Sequence, residues 1–223
     1  MYDRIKLLGN AQDAGRPQIG CTQKCCKDAR KNSSFSRMPV SLGLQGEKYG
    51  LVEATKSVGE QLSLMGNMMI EELWLTHAHL GHIEGLGQFG REALNSKNIK
   101  LRCSDSVVDY TMNHPIWKKL IERGNLTFAK FQSENIIPIE VPHRARDFDT
   151  HAILFKGQSN NIFFLPDHDT WEKTLDFVGY DNPKEWFSSL DANIILLDGT
   201  FWDSNELKGR IQANVPHPPV SET

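Results

Sequence analysis

An α/β fold whose strands deliver polar residues to loops at one edge is predicted by three observations. Short apolar runs alternate with helical or turn-rich stretches from one end of the chain to the other. Several of these runs stop at a polar turn: 73–75 at Thr76 and His77, 136–141 at Pro142 and His143, 163–165 at Pro166 and Asp167, and 194–197 at Asp198 and Gly199. Ligands held on loops at the ends of neighbouring strands are how such a scaffold builds a site. No break in composition divides the 223 residues, so one domain spanning 1–223 is expected.

Strands are expected at 4–8, 48–52, 73–75, 100–102, 136–141, 151–156, 161–165 and 193–197, each an apolar run too short for a helix. Helices are expected where apolar residues recur three or four apart. These are 57–65, with Val58, Leu62 and Met65; 84–94, with Leu86, Phe89 and Ala93; 117–122, with Trp117, Leu120 and Ile121; and 171–177, with Trp171 and Leu175. The stretch 27–39, rich in Ser, Lys and Arg, reads as a surface excursion.

Composition narrows the function classes. With 39% apolar and 24% charged residues the chain is an ordinary globular one, not a disordered tail. No apolar run reaches the length of a membrane span, and the first 15 residues carry Asp3, Arg4, Lys6 and Asp13 where a secretory signal has an apolar core. A cytoplasmic protein is expected. A net charge of −3 without long runs of one sign gives no general attraction to nucleic acid or anionic lipid, which favours a small-molecule substrate. Of four cysteines, Cys21, Cys25 and Cys26 cluster and Cys103 stands apart. Adjacent cysteines pair badly, so the cluster reads as a metal site or as thiols without a metal.

The densest chemistry is Thr76-His77-Ala78-His79-Leu80-Gly81-His82, directly after an apolar strand. A turn here points His77 and His79 to one side while His82 enters from the first turn of a following helix. Neutral imidazoles ligate zinc and iron, and three that converge leave positions open for water or substrate.

This segment resembles the metallo-β-lactamase signature His-x-His-x-Asp-His. The resemblance extends to the block Leu8-Gly9-Asn10-Ala11-Gln12-Asp13-Ala14-Gly15 and on to Cys21, to Val141-Pro142-His143-Arg144, to Phe164-Leu165-Pro166-Asp167-His168-Asp169-Thr170-Trp171 and to Leu197-Asp198-Gly199-Thr200-Phe201. Together these blocks look like the branch of that superfamily around pyrroloquinoline quinone biosynthesis protein B. The resemblance implies an αβ/βα sandwich of two mixed sheets flanked by helices. It makes His77, His79 and His143 the three-histidine site of one metal, Asp167 the carboxylate that bridges or completes the centre, and His82 a ligand of a second metal position. Gly81 departs from the signature by standing where the aspartate serving that second position belongs. An aspartate returned at 81 is expected to raise the metal stoichiometry toward two, a gain limited by the missing C-terminal histidine. Members of the branch also continue past the 216–218 region to a further histidine, whereas the sequence stops at Thr223, so two expectations stand: a C-terminal segment is missing, or the second metal position is reduced to His82 and Asp167. One firmly bound ion at the histidine site is the consequence, Zn(II) or Fe(II), since three histidines and a carboxylate suit both.

Other residues carry two readings. Asp198 either accepts a hydrogen bond from a ligand histidine or caps the turn after its strand. His217 matches in position a histidine that relatives place over the substrate, where it acts as general acid, or it is a solvated residue between prolines. Asp167 is preferred to Asp169 as ligand because it follows its strand directly, and His168 between them points the other way in an extended chain. His114 and His151 lack motif context and are expected to be structural, and Arg144 either binds a substrate anion or makes a surface ion pair. Cys21, Cys25 and Cys26 resemble, with a lengthened first spacing, a structural zinc motif of relatives, but supply at most three of four donors.

The function expected is metal-dependent hydrolysis of an ester, lactone, lactam or phosphodiester by a metal-activated water, with Asp167 and His217 as the catalytic side chains. Two rivals stand beside it: an iron-dependent oxygenase in the biosynthesis of a pyrroloquinoline quinone-like cofactor, and a degenerate protein that binds metal or ligand without turnover.

Overall fold

In the computed structural model, which describes residues 2–144, 147–207, 211–215 and 217–223, the chain divides into two compact units, Met1–Phe131 and Gln132–Thr223. The first unit is built on a six-stranded mixed sheet in the order β1 (Tyr2–Gly9), β2 (Ser41–Gly46), β3 (Tyr49–Val52), β4 (Glu72–Trp74), β5 (Ile99–Arg102) and β6 (Leu126–Ala129). The first three strands pair antiparallel and the last four parallel. Interposed are α1 (Lys24–Lys31), α2 (Val58–Leu64), α3 (Leu80–Ile83), α4 (Asp105–Asn113) and α5 (Pro115–Glu122). Ser104 caps α4 by accepting from the Val107 amide, and Pro115 opens α5, where its missing N–H is no loss.

Strand β4 is three residues long, yet its position is fixed from both sides. Leu73 and Trp74 are fully buried and hydrogen-bonded between β3 and β5, and Arg102 lies 5.1 Å over the Trp74 ring. At the start of the strand the buried Glu72 carboxylate accepts from Tyr2 Oη, Lys48 Nζ and Arg102 Nη2, each at 2.8 Å. Residues from β1, the β2–β3 turn and β5 are thereby tied to one group. Burial by itself would raise the Glu72 pKa, but these bonds outweigh it and bring it from 4.5 down to about 2.

The second unit carries a four-stranded mixed sheet in the order β10 (Ile194–Leu197), β9 (Ile162–Leu165), β8 (Thr150–Phe155) and β7 (Ile136–Val141), with α6 (Trp171–Val178) and α7 (Pro183–Ser189) between β9 and β10. The alternating residues Ala152 and Leu154 of β8 and Phe163 and Leu165 of β9 pack with Trp171, Leu175 and Trp186 of the two helices. Trp186 is the anchor, edge-on to Phe163 at 5.2 Å and stacked on Phe187 at 5.5 Å. Thr170 caps α6, Gly179 ends it at φ 78°, and Asn182 caps α7 ahead of Pro183.

The eight expected strands are present, with ends shifted by up to two residues, and β2 and β6 are additional. One expectation is corrected. Residues 84–94 do not form an α-helix: a 3-10 helix, Glu84–Phe89, gives way to turns, because Gly85, Gly87 and Gly90 weaken the helix that the apolar spacing suggested. The stretch 27–39 is mostly exposed, as a surface excursion should be, and its first residues complete α1, which buries Cys26 and Ala29. Among the described residues no helix is long and apolar enough to cross a membrane.

Two outcomes are expected. Trp186→Ala should destabilise the second unit by about 3–5 kcal/mol, the usual cost of emptying an aromatic site, read as a lowered urea midpoint. Glu72, depressed in the folded state, contributes stability above pH 4.5 that is lost as pH falls toward about 2. One pKa unit is worth about 1.4 kcal/mol, so the contribution is on the order of 3 kcal/mol. Glu72→Gln should lower Tm at pH 7 and flatten its fall across that acid window; an unchanged profile would show that Glu72 is not the group responsible.

Candidate metal centre

The histidine turn is held by a buried carboxylate that carries no motif. After β4 the chain passes through Leu75 into Thr76, His77, Ala78 and His79, then turns into α3. Residues 53–54, at the end of β3, grip this turn through backbone bonds: Glu53 N donates to Trp74 O at 2.9 Å, Ala54 N to His82 O at 2.8 Å, and Gly85 N to Ala54 O at 2.8 Å. Gly85 is required for that grip, since a Cβ there would lie 2.1 Å from Thr55 O.

Glu53 is fully buried and held at φ 68°, a conformation costly for a residue with a Cβ. Its Oε1 accepts the Thr76 hydroxyl proton at 2.6 Å and the Thr76 amide at 3.4 Å, and lies 3.5 Å from His82 Nδ1. A threonine hydroxyl has one proton, and Thr76 gives it to Glu53. Towards His77 Nδ1, 2.9 Å away, the hydroxyl is therefore an acceptor. This arrangement suits the His77 tautomer with the proton on Nδ1 and an unprotonated Nε2, the form in which an imidazole ligates a metal. The three rings gather as the spacing predicts, His77 edge-on to His79 at 4.7 Å and 4.1 Å from His82.

The space beside Gly81 is filled. A Cβ built on Gly81 would lie 2.2 Å from the Cγ of Asp13, and Asp13 Oδ1 is 3.6 Å from His82 Nε2. An aspartate side chain from another part of the chain, Asp13, thus occupies the volume that a residue-81 side chain would need.

In the second unit the loops after β7, β9 and β10 meet. Asp169 N donates to Pro142 O at 2.8 Å, joining the first two loops. His143 Nε2 lies 3.8 Å from Asp167 Oδ2, and the His143 ring is 5.1 Å from that of His217. Asp198 caps the turn after its strand, Oδ1 accepting from Thr200 N at 2.9 Å, while Oδ2 lies 2.6 Å from Nδ1 of His217 rather than of an expected ligand histidine. One donor atom each from Asp167, Asp198 and His217 lies within 4.8 Å of the others. Burial disfavours the His217 imidazolium, but the bond to Asp198 and its charge outweigh this and raise the pKa.

Asp169 is committed elsewhere, to Thr170 N at 2.7 Å and Lys173 Nζ at 3.0 Å. His168 does point away, with Nδ1 2.9 Å from Thr174 Oγ1 and its ring against Trp171; burial pushes its pKa down to about 4. Arg144 is exposed, His114 stacks on Trp117 at 3.8 Å, and His151 lies 3.8 Å from Asp149. Helix α1 brings Cys25 and Cys26 toward Cys21. The Gln18 amide donates to Cys26 Sγ at 3.4 Å and is the main reason the Cys26 pKa is lowered, with Cys21 and Cys25 in hydrogen-bond reach.

Glu53 and Asp13 are the residues that motif reading missed. A glutamate directly after the apolar Leu51-Val52 is a weak signal of a buried acceptor; Asp13 sits inside a block that carried the family resemblance, without a role attached.

No protein-family model matches the chain. Coenzyme PQQ synthesis protein B of Pseudomonas entomophila (strain L48) is 24% identical to it over 248 residues, which cover 92% of this chain and 76% of that protein. Two solved structures resemble it in backbone. Zn(2+)-bound PqqB from Methylobacterium extorquens has a TM-score of 0.72 at 15% identity, covering 96% of this chain and 78% of that one. The metallo-beta-lactamase fold protein YhfI from Bacillus subtilis has a TM-score of 0.63 at 13% identity, covering 98% and 78%. With two mixed sheets that superimpose on these over nearly the whole sequence, the chain has the metallo-β-lactamase fold.

Proposed function

We propose that the protein is a metal-dependent hydrolase of a small molecule, in which His77, His79, His143 and Asp167 hold one divalent ion, Zn(II) or Fe(II). The observation that carries this reading is the Glu53–Thr76–His77 chain. A buried carboxylate that sets the protonation of a histidine through an intervening hydroxyl has no use in a solvated turn, and it is what a metal-ligating imidazole needs on its far side. The donors fit: neutral imidazoles and one carboxylate suit either ion. When bound, the ion supplies Lewis acidity, lowering the pKa of a water to roughly 7 and polarising a carbonyl or phosphoryl oxygen.

The chain's own side chains supply the rest. Asp167 orients the attacking water and takes its proton. His217, anchored through Nδ1 on Asp198, directs Nε2 to the leaving group as general acid, and Asp198 stabilises the protonated ring. The substrate class lies among esters, lactones, lactams and phosphodiesters. Cys21, Cys25 and Cys26 serve a separate, structural metal. A cytoplasmic setting accords with these unbridged thiols.

A second reading, an iron-dependent oxygenase in cofactor biosynthesis, is favoured by the likeness to coenzyme PQQ synthesis protein B. Elemental analysis of anaerobically purified protein, with assays on one substrate of each class, separates the two. Hydrolysis that is lost with a chelator and restored by zinc supports the first; oxygen consumption that requires iron, with no hydrolysis, supports the second.

His77→Ala and His79→Ala should each abolish tight binding at the histidine site, measured as metal per chain after dialysis. Thr76→Val, which keeps the side-chain shape and removes the hydroxyl, should weaken metal affinity by about 10–100-fold while the far-UV spectrum is unchanged. Full retention of metal in both alanine variants would remove the assignment.

A further inference from the structure

The departure at position 81 leaves the histidine signature without its aspartate, but it does not leave the protein without the carboxylate. Asp13 follows β1 in a turn closed by Gly15 N donating to Gln12 O at 2.7 Å. The turn is fastened on both sides: Asn10 N and Ala11 N donate to Met38 O at 3.1 and 3.0 Å, and Lys56 Nζ donates to Ala14 O. From there the side chain of Asp13 enters the volume that a residue-81 side chain would fill, with its Cβ, Cγ and Oδ1 at 2.5, 2.2 and 2.2 Å from the position of such a Cβ. Glycine at 81 is what admits it. The carboxylate faces His82 Nε2 at 3.6 Å, while Glu53 lies on the opposite nitrogen of the same ring at 3.5 Å. The ring thus has a carboxylate near each of its nitrogens, the buried Glu53 on the Nδ1 side and the half-exposed Asp13 on the Nε2 side.

We propose that Asp13 stands in for the aspartate missing at position 81 and forms, with His82, a second divalent-cation position beside the histidine site. The inference rests on the hydrolase reading above only in taking the histidine turn to be a metal site. It reverses the expectation of a single ion. The carboxylate is kept in space and moved in sequence from the turn before α3 to the turn after β1. Its side chain is 58% exposed, which leaves room for water in the remaining coordination positions and suits a more weakly held, exchangeable ion than one closed off by protein.

The test uses the full chain and zinc alone, read as zinc per chain and as affinity in competition with a chromophoric chelator. The parent should take up two ions at the histidine centre, with the cysteines replaced by serine in every variant so that they do not contribute. Asp13→Asn should lower the affinity for one ion at least tenfold and leave the other unchanged. Gly81→Asp alone should lower Tm, because its Cβ meets Asp13, and should add no ion. The exchange variant Asp13→Gly with Gly81→Asp should recover both ions; glycine is needed at 13 because even an alanine Cβ there would stay 2.5 Å from the new one. A parent that binds one ion, with Asp13→Asn binding it equally well, would overturn the proposal and leave the hydrolase reading standing. A parent that binds none at the histidines would overturn both. Loss of both ions in a folded Asp13→Asn would overturn the separation into two positions, and an exchange variant that folds but regains nothing would show that Asp13 does not occupy the aspartate's role.

Discussion

A buried carboxylate with too few partners destabilises the fold around it, and at the centre of the first unit the histidine turn meets one of the two Glu53 oxygens, Oε1. The dependence runs both ways. The Thr76 hydroxyl and amide and the His82 ring supply the polar surroundings of Glu53, and Glu53 in return decides which atom of His77 bears the proton. Its left-handed backbone is the cost of turning β3 sharply enough to bring the carboxylate under β4. Strain of this sort persists where surrounding bonds over-determine it, as the bonds from Glu53 N and Ala54 N do here.

Support also arrives from the other end of β4. The Glu72 cluster fixes where that strand begins and the Glu53 network fixes the turn into which it runs, so a segment of only three paired residues is immobilised at both ends. Ligands mounted on such a segment keep their geometry with little reorganisation, which is the condition for a site to bind a metal without first distorting. In the second unit the same purpose is served by joining loops to each other, through Asp169 N to Pro142 O and Asp198 to His217.

Much of this was legible in the sequence, and the limits have physical causes. Runs such as 136–141 declare themselves because a strand's side-chain period and apolar content are local properties, and β7 is Ile136–Val141. The segment Ser41–Gly46 was passed over because Gly43, Gln45 and Gly46 dilute the β signal, although its burial is decided by the strands on either side. The histidine cluster is visible because three imidazoles fall within six residues. Glu53 and Asp13 are not, because each acquires its meaning only from a partner more than twenty residues away, and nothing local separates a buried glutamate at a strand end from a solvated one. Position 81 shows the same limit from the other side: read alone, its glycine marks a deficit, and only the folded chain reveals what fills the gap.

Every bond described in the Glu53 network, from the β2–β3 pairing to Gly85, lies within the first 85 residues. A chain made from its N-terminus forms domains in that order. The histidines thus have their protonation and spacing set by segments already synthesised while the loops bearing His143 and Asp167 are still to come. On a nascent chain, the turn that carries His77, His79 and His82 has the segments that hold it in place before residues 132–223 are made, so its local order does not wait for the end of translation.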